Sequence, residues 1–233
     1  MRSFKITILT FINFGDIRIE EPVTVLTDIL VAAVAMWAFL NLGKSVKYHQ
    51  LKKYLRAHFL FLSIGTLLGG LLGHGFLHYL SLAYKLPGWL LSLLSVSFLS
   101  VAVLKYTRNV LNDNLYNFIF GFIVIESITA TMLTVFSLSF FWISIHSVIL
   151  LIGVSLPLLI RSHFTLVPNK ALRFLVVGLA LNAVSAVVFA TEISIDIWFN
   201  HIDISHVIMA VSIPYFLLAG KFMMESTSIV NSK

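Results

Sequence analysis

Seven apolar runs alternate with short polar segments along the chain, and each run is long enough to cross a bilayer as a helix. A hydrocarbon layer of ~30 Å needs about 20 helical residues. The runs cover residues 22–42, 57–80, 88–104, 115–136, 140–160, 171–191 and 204–222. None has the period-two alternation of a membrane β-barrel strand. The pattern predicts an all-α integral membrane bundle of seven transmembrane helices, with residues 1–233 forming a single transmembrane domain. Pro22 falls at a first helical turn, where a missing N–H breaks no bond. Pro87 and Pro168 fall in loops, whereas Pro157 and Pro214 lie inside spans and should kink them. Residues 137–139 leave room only for a tight hairpin. In residues 1–20, Thr7, Thr10 and Asn13 interrupt the apolar run, and no small-residue cleavage site precedes Asp16. A short interfacial segment is expected there rather than a signal peptide.

Composition agrees with lipid as the solvent: 59% of residues are hydrophobic and 11% charged, against ~25% charged in soluble domains. There are no cysteines, which excludes disulfides, thiolate metal sites and cysteine nucleophiles. The net charge of +6 comes from loop residues that form no face suited to nucleic acid. Lys44, Lys47, Lys52, Lys53 and Arg56 follow the first span, Lys105 and Arg108 the third, and Arg161, Lys170 and Arg173 the fifth. The alternate loops carry only Lys85 and the acids Glu192, Asp196 and Asp203. The positive-inside bias therefore predicts an outside N-terminus and a cytosolic C-terminus, in a plasma or inner membrane.

Ionisable groups inside a membrane are costly and mark function. With this orientation, Glu21, Asp28, His74, His78, His146, Glu192, Asp196, His201, Asp203 and His206 all fall in one outer layer. His74 and His78 are four apart and are expected on one helix face. The glycines around them allow close helix approach. His201 and His206 are five apart, ~140° around a regular helix. An N-cap at Asn200 or Asp203 would put His201 in the preceding turn, free to swing toward His206. Asp203 can touch His206. Three imidazoles with nearby carboxylates suit a catalytic zinc site, which uses three protein ligands and keeps one position for water. The ligand candidates are His74 and His206, with His201 or His78 as the third. Asp28, Asp203 and Glu21 are candidate proton acceptors. Asn200, Asp203 and Ser205 are candidates to orient the imidazoles. Plain structural roles compete: a glycine packing seam, a capped helix, and an acidic helix start that accounts for Glu21 but less well for Asp28. Glu126, alone in mid-span, should find Asn182 or Ser185 in the sixth span. His58 is expected among headgroups, and His49 and His163 in loops.

The segment Gly69-Gly70-Leu71-Leu72-Gly73-His74-Gly75, with His201 and His206 on the last helix, resembles the seven-helix membrane hydrolases that include the alkaline ceramidases and the progestin/adipoQ receptors. The resemblance implies a zinc ion held by these histidines and cleavage of a lipid amide. The chain departs from that pattern in three places. Its last-helix histidines are five rather than four apart, Gly70 stands where the family has Ser, and residues 82–87 contain no acid.

The leading expectation is a zinc-dependent membrane hydrolase acting on an amide or ester of a lipid. A non-catalytic receptor or sensor of lipid or metal is the alternative. Haem held by pairs such as His74 and His146, and proton-coupled transport through Asp28 or Glu126, are further alternatives. Lys221 lies too close to the cytosolic end of its helix for a retinal Schiff base.

Overall fold

A computed structural model describes residues 10–44, 50–165 and 170–230. Lys47, His49 and Pro168 lie outside the described residues, as do residues 1–9 of the expected interfacial segment. Residues that do fall in that segment form a β-hairpin, Phe11–Phe14 (β1) with Ile17–Glu20 (β2). Phe11 pairs with Glu20 and Phe14 with Ile17. Gly15 turns the loop at φ +58°, a backbone conformation that a Cβ disfavours.

Among the described residues, seven helices are long and apolar enough to cross a membrane. They are α1 (Pro22–Lys44), α2 (Gln50–Gly75), α3 (Leu82–Tyr106), α4 (Asp113–Ser137), α5 (Phe141–Phe164), α6 (Lys170–Thr191) and α7 (His201–Val230). The chain is therefore an all-α, multi-pass membrane bundle. Hydropathy marks the lipid zone rather than helix ends, so most helices run past the apolar runs. α2 begins at Gln50, and cations of its first turns set their charged heads over aromatic rings. Lys53 lies over Tyr54 and Arg56 over Phe39. The far end of α2 stops short of the expected residue 80. Its glycine-rich stretch Gly69–Gly75 widens into a π turn and then breaks, as a segment weak in helix propensity can. Leu138, at φ +49°, caps α4 and closes the tight α4–α5 hairpin. The irregularity expected at Pro157 is a π turn over Ile149–Ser155 immediately before it.

α1 lies between α2 and α7, α3 packs along α2, α6 along α7, and the α4–α5 hairpin leans on α3. Val31, Ala35, Ala38 and Leu42 form the fully buried stripe of α1. Its small residues allow the close approach that holds helices together where lipid offers no hydrophobic drive. α4 and α6 turn large apolar side chains outward, Ile125, Phe136 and Val187 among them.

Two polar expectations are corrected by packing. His58 does not reach the headgroups. It is buried between α2 and α3, with Nδ1 3.0 Å from the Ser95 carbonyl oxygen. Glu126 does not pair with Asn182 or Ser185, because those residues face α7 and bond Ser212 and Ser205. Glu126 Oε2 instead lies 2.6 Å from His146 Nδ1, and His146 Nε2 lies 3.1 Å from the Leu93 carbonyl oxygen and 3.3 Å from Ser97 Oγ. Both ring nitrogens of His146 are thus engaged inside the α3–α4–α5 layer.

Candidate functional site

The start of α1, the end of α2, the start of α3 and the start of α7 meet at the end of the bundle that carries the hairpin. Glu21 stands at the β2–α1 junction with φ +45°, in the left-handed region that a long side chain seldom adopts. This backbone turn is tied down by the Glu21 N–H, which donates to the Thr10 carbonyl oxygen at 2.8 Å. It aims the carboxylate at α2, where Glu21 Oε2 lies 2.6 Å from His74 Nδ1. A carboxylate only accepts, so the proton of this bond is assigned to Nδ1. In the neutral imidazole the Nε2 lone pair is then left over, the arrangement by which carboxylates orient metal-binding histidines. Burial raises the Glu21 carboxyl, but the hydrogen bond and charge of His74, with Lys85 and His201, outweigh it and hold its pKa below the ordinary glutamate value.

His206 is oriented in a similar way from α1. Its Nδ1 lies 3.2 Å from Thr27 Oγ1, which is also 3.0 Å from the Thr24 carbonyl oxygen. A hydroxyl that donates to that carbonyl can accept from Nδ1–H. His206 Nε2 then faces Asp28, 3.5 Å from Oδ1. Asp28 is buried, and its Oδ2 has no hydrogen-bond partner. Its place depends on Gly70, since a Cβ there would stand 2.6 Å from the Asp28 Cβ.

Asp203 and Asn200 cap α7 reciprocally. Asn200 Oδ1 accepts from the Ile202 N–H and Asp203 Oδ2 accepts from the Asn200 N–H, each at 2.8 Å. The second Asp203 oxygen lies 3.4 Å from Thr27 Oγ1. With Asn200 as the cap, His201 is the first residue of α7 rather than part of the preceding turn. Its N–H donates to Ser194 Oγ at 3.0 Å, its Nδ1 lies 3.5 Å from the same oxygen, and its ring rests on Phe189. His78 does not share a helix face with His74, because the helix ends at Gly75. It is half exposed, 3.9 Å from Glu20 Oε1.

Lys85, Thr27 and Glu20 were not among the expected site residues. Lys85 lays its stem against Gly73 and interacts with Glu21 and Asp28. Its signal in the sequence is that it is the single cation of the alternate loops. Thr27 carries no signal beyond lying one residue before Asp28. Glu20 is buried and bound to Arg18 at 3.0 Å.

The donor chemistry suits a borderline cation such as zinc: two imidazoles oriented through Nδ1, a third nearby, and a buried carboxylate oxygen without a partner. Among the described residues, no three His, Asp or Glu side chains stand close enough together to hold a metal ion. His201 in particular is turned toward Ser194.

The chain belongs to DUF6962, a family of unknown function whose profile matches residues 23–225, from the first turn of α1 into α7. No curated protein and no solved structure matches the chain.

Proposed function

We propose that this member of DUF6962 is a zinc-dependent hydrolase of a plasma or inner membrane, cleaving an amide or ester bond of a lipid, with the hairpin end outward. The observation that carries the reading is Asp28: a buried carboxylate with one oxygen unpartnered, beside an imidazole that Thr27 orients. A polar atom buried without a partner costs stability and persists where a ligand or reaction uses it. The left-handed backbone at Glu21 supports the same reading, since strain of this kind gathers at functional sites.

His74, His206 and His201 are the residues that would hold the ion. Zinc, when bound, supplies acidification of a water and polarisation of a carbonyl. Glu21 and Thr27 hold the His74 and His206 rings in the tautomer that leaves Nε2 free. Asp28 Oδ2 is the proton acceptor, and protonation there relieves a charge buried without a partner. Lys85 balances the carboxylates of the site. Asp203 fixes the start of α7 and so the position of His206. Purified protein in lipid nanodiscs, screened against N-acyl amides and acyl esters, tests the reading. Asp28→Asn should lower turnover by about 10²-fold or more, the worth of a positioned general base. Turnover unchanged by Asp28→Asn and by His206→Gln together would refute it.

One observation favours a second reading. Because three donors are not gathered among the described residues, the same cluster suits a receptor that binds a lipid headgroup without turnover. Lipid binding that depends on His206, with no product formed in any zinc-supplemented sample, would select the receptor.

A further inference from the structure

We propose that the groove between α1, α6 and α7 seats one acyl chain of a membrane lipid, with the carbonyl end of that chain at Thr27 and His206. This rests on the hydrolytic reading for the identity of the polar end. The groove itself is a separate feature of the bundle. It has a volume of about 650 Å³ and is walled by Leu30 and Val34 of α1, Phe174 of α6, and Ala210, Pro214 and Leu218 of α7.

Helix register joins the groove to the site. Thr27, Leu30 and Val34 follow i, i+3, i+7 and share one face of α1, while His206 and Ala210 are four apart on α7. Thr27 Oγ1 and His206 Nδ1 meet at 3.2 Å, so the two helix faces that wall the groove carry a polar contact one turn beyond its Leu30 and Ala210 walls. From Val207 to Leu218 the groove follows α7 for ~16 Å at 1.5 Å per residue. That is the reach of an acyl chain, and far more than a headgroup or small polar solute occupies. The open side is bordered by Leu30 and Val211, which are 43% and 50% exposed on membrane-crossing helices. A chain can therefore enter from the hydrocarbon layer without leaving it. An apolar slot with a few polar groups at one end is the usual build of a small-molecule site. Here the apolar slot fits the chain, and Thr27 and His206, one turn beyond Leu30 and Ala210, offer a polar contact for the single carbonyl that a lipid amide or ester presents.

The test uses the whole protein in phosphatidylcholine nanodiscs and palmitoyl ethanolamide bearing a mid-chain diazirine. After irradiation, label should concentrate on peptides containing residues 30–34 and 207–218 and fall when unlabelled palmitoyl ethanolamide is added. Val211→Trp and, independently, Val34→Trp should each cut that labelling about fivefold or more. Val211 is half exposed, so thermal unfolding of Val211→Trp should stay at the wild-type temperature, whereas Val34 packs against the core and its variant is compared per folded molecule. Label spread equally over the outward faces of α4 and α6, and not reduced by competitor, would overturn the proposal by showing ordinary boundary lipid. Competed groove labelling in a protein that hydrolyses nothing would sustain the groove and defeat the hydrolytic reading. Hydrolysis whose dependence on chain length is unchanged in both tryptophan variants would do the reverse.

Discussion

Gly70 of α2 lies so close to Asp28 of α1 that a β-carbon on the glycine would stand 2.6 Å from the Asp28 Cβ. The missing side chain of one helix is the space in which the acid of the other sits. Gly70→Ala should push α1 and α2 apart and displace the carboxyl, at a cost of about 1–3 kcal/mol, typical of overpacking. Thermal unfolding in detergent should shift down, and hydrolysis should be lost with it. Gly69→Ala is the matched control. A β-carbon there meets nothing within 4 Å, so both readouts should stay at wild-type values. Equal behaviour of the two variants would remove the special role given to the Gly70–Asp28 contact.

The Glu21–His74 pair predicts an acid limit. Burial raises the Glu21 carboxyl, but His74, Lys85 and His201 together outweigh burial and hold it below its ordinary value of 4.5. A carboxyl whose folded-state pKa is depressed contributes stability in full above its unfolded value. That contribution disappears as pH falls through the lower, folded value. The unfolding temperature should therefore decline below pH ~4.5 in the wild type, and part of that decline should vanish in Glu21→Gln. Identical pH profiles for the two proteins would contradict the pairing.

What could be read from the sequence follows from the length scale of each feature. Seven spans, the α4–α5 hairpin and the gathering of polar groups near one end follow from run length and alternation, which lipid imposes on any helical chain. Individual contacts depend on helix rotation and on irregular turns. The identity of the Glu126 partner turned on which face of α4 meets α5, and the His74–His78 relation failed because Gly69–Gly75 leaves the α-helical path. Thr27 is one hydroxyl among many in the apolar runs, and only the close crossing of α1 and α7 gives it His206 as a neighbour. The hairpin was hidden because its strands are four residues each and resemble an interrupted apolar run.

The second buried pair should behave as a structural one. His146 is fully buried with Nδ1 on Glu126 and Nε2 on Leu93. Glu126→Leu leaves Nδ1 without a partner, which costs about 1–3 kcal/mol. A lower unfolding temperature with unchanged metal content and turnover per folded molecule is expected. Loss of metal at wild-type stability would instead bring Glu126 into the site.

Asp28 and Asp203 should separate by function. Asp203→Asn keeps an oxygen able to accept the Asn200 N–H, so α7 should stay capped and turnover should fall by less than the about 10²-fold expected of Asp28→Asn. Steady-state hydrolysis of the substrate found in the nanodisc screen measures both. A larger loss at Asp203 than at Asp28 would move the proton acceptor from α1 to α7.

Elemental analysis of the detergent-purified protein beside His74→Ala tests the central claim most directly. The account predicts about one zinc per chain, the stoichiometry of a single three-ligand site, and none in a variant that still folds. Wild-type protein that takes up no metal after incubation with zinc, or His74→Ala that keeps the full complement, would contradict it.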